Sequence, residues 1–195
     1  PMDTKDKKLT EWFNKYNISH NEYYLVVGRF VPENNYETII KEFISSNTKK
    51  DLVIITNNEE NGFYKLLIEN TKFNQDKRVK FVGTLYDDGM LKRIRELAYG
   101  YIHGHEVGGT NPSLLEALSS TKVNMLFNVQ FNKEVAEDGA LYFSKNQGEL
   151  KSIIEKVDAL HIDEIECLGN KAKKRIKDHY SWNYIVDTYE ELWMS

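Results

Sequence analysis

The sequence predicts an α/β protein: a doubly wound parallel sheet of about six strands, with C-terminal helices closing the chain. Three observations carry this expectation. Short, nearly continuous runs of β-branched and aromatic residues recur along the chain, as strands covered on both faces require. Each run is followed by a stretch with apolar residues at helical spacing. The length, 195 residues, suits one sizeable domain with a substantial core.

The elements follow in order. Residues 3–20 place Leu9, Trp12, Phe13 and Tyr16 at helical spacing among lysines and acids, so residues 1–22 are expected to form an amphipathic helix docked on a body spanning 23–195. Tyr23-Tyr24-Leu25-Val26-Val27 reads as the first strand, ending in Gly28-Arg29, and Ile39, Ile40, Phe43 and Ile44 mark the helix after it. Leu52 to Ile55 is the second strand, and about Phe63 to Glu69 its helix. Val79-Lys80-Phe81-Val82-Gly83 is the third, followed by a helix over Leu85–Ala98 with Leu91, Ile94, Arg95 and Leu97; Asp87-Asp88 within it reads as a cap. Gly100 to His103 leads into a glycine-bearing turn, Val123 to Phe127 follows the next helix, and Ala140 to Phe143 is the last strand. Residues 147–160 and 163–193 read as helices, broken near Tyr180-Ser181.

The stretch from Tyr101 to Leu118 joins a strand end, a turn and a helix start. Gly108 and Gly109 permit close approach to the backbone and positive φ. Asn111 is a good N-cap, Pro112 suits the first helical position, and Leu114, Leu115 and Leu118 form an apolar stripe. The first amides of such a helix sit at the positive end of its dipole, where a phosphate is the natural guest. Glu116, about one turn in, is placed to accept hydrogen bonds from a sugar hydroxyl. The alternative is a tight strand-to-helix connection with an ordinary cap. Gly28-Arg29 and Gly83-Thr84 end other strands, and ligands of such sheets bind beyond the carboxyl ends of the strands.

Composition excludes several classes. A net charge of −4 without a Lys/Arg block gives no long-range attraction for nucleic acid. Cys167 is the sole cysteine, which rules out an internal disulfide and makes a reducing compartment the expectation. No apolar run has membrane-spanning length and no signal peptide is read. The sequence opens on Pro1, as expected of a processed or excised chain. The turn after the first strand lacks Gly-x-Gly-x-x-Gly, which argues against a dinucleotide oxidoreductase, and that strand does not end in acids, as a receiver domain's would. His103 and His105 share one side of an extended segment, but no third ligand is suitably spaced, so no metal is expected.

These residues resemble the C-terminal, nucleotide-sugar-binding half of a GT-B glycosyltransferase of family 4. The matching segments run from about Tyr23 to Trp193: Val26 to Glu33 with its Gly-Arg loop, Val79 to Gly83, Pro112 to Leu118, Asn132 to Val135 followed by Gly139 to Phe143, and Tyr180-Ser181-Trp182 with Tyr189 to Leu192. The wording from His103 to Ser113 is closest to bacterial capsule and O-antigen enzymes of the rhamnosyltransferase-like kind. The resemblance implies a Rossmann-like, nucleotide-sugar-binding domain over 23–195, its acceptor-binding N-terminal domain lying outside this chain. It implies a retaining transfer of a sugar, rhamnose from a dTDP donor being the leading expectation and UDP the other, onto a bacterial surface polysaccharide precursor. The acceptor, a glycan or lipid-linked glycan, would come with the missing domain, so this chain alone should bind nucleotide and transfer little.

By the same resemblance Arg29 contacts the diphosphate, with Gly28, Gly108, Gly109, Thr110 and the amides of Asn111, Ser113, Leu114 and Leu115 completing the cradle. Glu116 holds the ribose, while Val82, Gly83 and Leu85 border the base. His103 and His105 either contact donor phosphates or sugar or serve the strand end. No cofactor or metal is implied, since arginine and amides take the diphosphate's charge. Two departures stand out. Asn34 occupies the place of the family's usual lysine. The family's paired glutamates are separated by seven residues, whereas nine separate Glu106 from Glu116; either Glu106 takes the first one's place through a loop insertion or no residue does. Rival readings are a non-catalytic nucleotide-binding module and another GT-B enzyme such as an epimerase. Lys171 to Arg175 reads as a solvated helix face, which leaves a cytoplasmic protein with at most peripheral contact at the inner membrane face.

Overall fold

The computed structural model describes residues 4–109 and 111–180. Within them six parallel strands form one sheet: β1 (Tyr23–Val27), β2 (Asp51–Ile55), β3 (Val79–Phe81), β4 (Gly100–His103), β5 (Val123–Phe127) and β6 (Leu141–Phe143). Their order is β3-β2-β1-β4-β5-β6. The chain therefore winds outward from β1 to one edge, returns to the middle, and winds outward again from β4.

Side-chain alternation sends the two faces of the sheet into different clusters. Tyr24, Val26, Ile54, Ile102 and Met125 pack with α2 (Tyr36–Ser45), α3 (Gly62–Thr71) and α7 (Glu149–Asp158). Tyr23, Leu25, Val53 and Tyr101 pack on the opposite face with Leu9 and Phe13 of α1 (Thr4–Tyr16), Leu91 and Ile94 of α4 (Asp88–Glu96), and Ala117 of α5 (Pro112–Ser120). Leu126 joins α5, α6 (Gln130–Ala136) and α8 (Ile162–His179) in a third cluster. Burying tyrosines requires partners for their hydroxyls. Tyr23 donates to the Ile94 carbonyl and Tyr24 to Asp158 Oδ1, at 2.5 and 2.6 Å.

The boundaries differ from the sequence expectation for local reasons. The third strand stops at Phe81, because Gly83 turns into the left-handed region at φ 76°. The helix expected from Leu85 starts at Asp88, since the Asp87 carboxylate caps it by accepting from the Met90 amide at 3.0 Å. The last helix runs to His179; Ser181, Trp182 and Tyr189 to Leu192 lie outside the described residues. The seven-residue α6 had no periodicity long enough to read.

Candidate functional site

The strand order creates the site. β1 and β4 lie side by side, yet their following connections depart toward opposite edges, which opens a crevice at their carboxyl ends. The β1 exit runs through Gly28 and Arg29 into a 3-10 turn at Pro32–Asn34, and Asn35 closes it in the left-handed region. The β4 exit runs through Gly104 to Gly108, where φ is 104°. The two loops are stitched together: Asn35 Nδ2 donates to the Gly104 carbonyl at 2.7 Å, and the Glu106 amide to the Glu33 carbonyl at 3.1 Å. A Cβ on Gly104 would fall 2.1 Å from the Asn34 carbonyl oxygen, so only glycine lets the loops touch.

Between them lies a cleft of about 450 Å³ lined by Arg29, Glu33, His105, Gly108, Gly109 and Asn111. An adjoining recess of about 260 Å³ shares Arg29, His105 and Asn111 and adds Gly28, Asn34, His103 and Ser113. Arg29 is exposed, and its guanidinium forms no ion pair within the described residues. The amides of Gly108 and Gly109 have no acceptor in the described chain. Both are available to an anion, while the Glu33 carboxylate on the same rim offsets part of the positive charge.

The start of α5 is held by its own cap. The amides of Ser113, Leu114 and Leu115 are already engaged: Ser113 donates to the Asn111 side chain at 2.9 Å, and Leu114 and Leu115 to the Asn111 carbonyl at 2.9 and 3.2 Å. Pro112 has no amide hydrogen. Asn111 thus occupies the helix start that a phosphate would use, and the open donors move upstream to the glycine turn.

α5 is held by a buried polar cluster on its inner side. Ser113 Oγ lies 3.1 Å from the Tyr101 hydroxyl and 3.2 Å from Arg95 Nη2. Arg95 Nη1 meets Glu116 Oε2 at 2.6 Å, Arg95 being 3% exposed and Glu116 58%. The guanidinium thereby anchors one carboxylate oxygen and leaves the side chain facing solvent. Sequence reasoning placed Arg95 among Leu91, Ile94 and Leu97 without giving it a function; a charge on that apolar stripe was the available signal.

His103 is buried, and its Nε2 has no hydrogen-bond partner among the described residues. Burial, aided by the neighbouring His105, lowers its pKa from 6.5 to about 3. The unfolded chain takes up this proton near its ordinary pKa and the folded chain only far below it. Stability from the neutral ring is therefore complete above about pH 6.5 and falls by about 1.4 kcal/mol per unit as pH drops toward 3. We expect the urea midpoint of the wild type to decline more steeply with acid than that of His103→Gln; parallel declines would refute it.

The remaining predicted residues are placed as follows. Glu106 pairs with Lys145 Nζ at 2.7 Å and is not among the residues lining the cleft. Val82 is buried beside α1, its carbonyl accepting from Tyr16 at 2.9 Å; Gly83 follows it, and Leu85 packs on the same cluster. All three stand at the end of β3, two strands away from β1, so they share the rim but not the cleft. Leu114 is core and Leu115 half-buried. Thr110 lies outside the described residues. A larger hollow, about 760 Å³, lies between α2 and α7. Glu42 already caps α7 there, accepting from the Gly148 and Lys151 amides at 2.9 and 3.0 Å, so the loop cleft is the better anion site. Among the described residues no three metal-ligating side chains cluster, and no helix is long and apolar enough to cross a membrane.

Comparison with known proteins adds the family. A profile described as glycosyl transferases group 1 matches residues 9–181. A sequence search of curated proteins finds no match. Among solved structures, Anabaena Alr3699/HepE in complex with UDP superposes with a TM-score of 0.80 at 14% identity, over 100% of this chain and 53% of that one. Sucrose-phosphate synthase from Thermosynechococcus elongatus gives 0.75 at 16%, over 96% and 49%. The C-terminal domain of a group 1 glycosyl transferase, LpcC, from Francisella tularensis gives 0.68 at 15%, over 93% and 95%. The chain thus spans about half the length of the first two and nearly all of the third, and the shared fold is the Rossmann-like sheet of GT-B glycosyltransferases.

Proposed function

We propose, since this chain belongs to the glycosyl transferases group 1 family, that it is the donor-binding half of a retaining GT-B glycosyltransferase. The observation carrying this reading is the Arg29 guanidinium, without an ion pair among the described residues, sharing the cleft between β1 and β4 with the Gly108 and Gly109 amides, which have no acceptor among those residues. A diphosphate seated there would accept charge-assisted hydrogen bonds from all three. The UDP held by the HepE structure is a ligand of the chemistry this cleft fits. Glu116, steadied by Arg95, takes the ribose hydroxyls, and the base lies toward Val82, Gly83 and Leu85.

In catalysis the leaving diphosphate gains negative charge as its bond to the sugar breaks. Fixed donors aimed at it lower that barrier without a metal. Glu106 reaches the reacting centre only by giving up its pair with Lys145, so Arg29 carries the main catalytic role. The transferred sugar, with rhamnose from dTDP and hexoses from UDP as the leading options, goes to a bacterial surface glycan precursor held by a separate acceptor domain. In this reading the parent enzyme, of family 4, works on the cytoplasmic side of the membrane, in peripheral contact at most. Calorimetric titration with UDP, dTDP and GDP tests the site: one should bind, with negligible sugar transfer by this chain alone. No heat with any of them at millimolar ligand would overturn the reading.

A further inference from the structure

The residue standing where a lysine was expected has a defined partner. Asn34 Nδ2 donates to the Arg29 carbonyl at 2.6 Å, and Asn34 Oδ1 lies 2.8 Å from His105 Nδ1. The first contact fixes the amide's orientation, because a flipped amide would set two oxygens 2.6 Å apart. Oδ1 can only accept, so Nδ1 must carry the hydrogen of this bond. In the neutral ring Nε2 is then a bare lone pair. A Cβ on Gly108 would lie 3.7 Å from that nitrogen, which places it on the wall of the cleft beside the glycine turn.

The surroundings bear on the ring's charge. Burial first, then the Arg29 charge, hold its pKa below the ordinary histidine value, while the Val107 carbonyl, Glu33 and Glu106 oppose them. His103, itself neutral, adds no charge at neutral pH. A bare nitrogen and a phosphate oxygen are both acceptors and cannot bond to each other.

We propose that Asn34 is a positioning residue that locks His105 in its Nδ1–H tautomer, so that Nε2 accepts a hydrogen bond from a hydroxyl of the donor's sugar rather than from its diphosphate. This rests on the donor-binding reading above. Asn34 thereby replaces a phosphate-side charge with a sugar-side selectivity device.

Two readouts separate the lock from the donor reading. Long-range nitrogen–proton NMR on histidine-labelled free chain should find His105 Nδ1 protonated and Nε2 unprotonated at neutral pH; the reverse tautomer or an imidazolium would overturn the proposal. Calorimetry should show Asn34→Ala weakening UDP-glucose about 5-fold more than UDP, as the loss of one neutral hydrogen bond predicts. Equal losses would mark Asn34 as merely holding the loop and overturn the sugar contact. If the wild type binds neither nucleotide, the sugar contact falls with the donor reading, and the tautomer lock is judged by NMR alone.

Discussion

Arg29→Ala is expected to weaken UDP binding by roughly 10- to 100-fold, the range for losing hydrogen bonds from a charged donor. Arg29 is an exposed cation with no ion pair in the described chain, so its removal costs the fold little. The loss should therefore appear in calorimetry with the melting temperature nearly unchanged. Arg29→Lys should fall between the two, because an ammonium supplies charge without the two-pronged geometry that matches phosphate oxygens. The binding constant of the wild type should also weaken with salt, while that of Arg29→Ala should respond less. An alanine variant within twofold of wild type would show that the diphosphate sits elsewhere.

Gly104→Ala should be the most disruptive small substitution in the site. The added methyl would fall 2.1 Å from the Asn34 carbonyl oxygen and 2.8 Å from Ile39 Cδ1, so the backbone of the first loop must move. That movement breaks the Asn35–Gly104 bond and separates the loops that define the cleft. A destabilisation of about 3 kcal/mol is expected, at the upper end for forced overpacking, accompanied by loss of nucleotide affinity. Gly109→Ala is the internal control. A Cβ there meets nothing within 4 Å, so chemical denaturation should find its stability within about 0.5 kcal/mol of wild type. Equal effects at the two glycines would contradict the stitched-loop geometry.

The fold was legible because its signals are local. Strands buried on both faces must be largely apolar, and Tyr23–Val27, Asp51–Ile55 and Val123–Phe127 appear where the runs of the sequence lie. Element ends were less legible where one side chain decides them, as with the Asp87 cap and the turn at Gly83. The cleft was legible in part. Gly28, Arg29, His105, Gly108 and Gly109 could be assigned to strand ends, and strand ends converge in any such sheet. The pairing of Asn34 with His105, and of Arg95 with Glu116, joins residues from different loops and helices, which no spacing rule encodes. The engaged amides of α5 were foreseeable: an asparagine good enough to cap a helix competes for the donors a phosphate would need.

The central claim is that a nucleoside diphosphate lies against Arg29 and the Gly108-Gly109 turn with its ribose at Glu116. A crystal structure of the chain soaked with UDP tests it directly. The account predicts phosphate oxygens within hydrogen-bonding distance of the Arg29 guanidinium and the two glycine amides, and ribose hydroxyls on the free oxygen of Glu116. UDP bound instead in the hollow between α2 and α7, or with its phosphates facing away from Arg29, would contradict it.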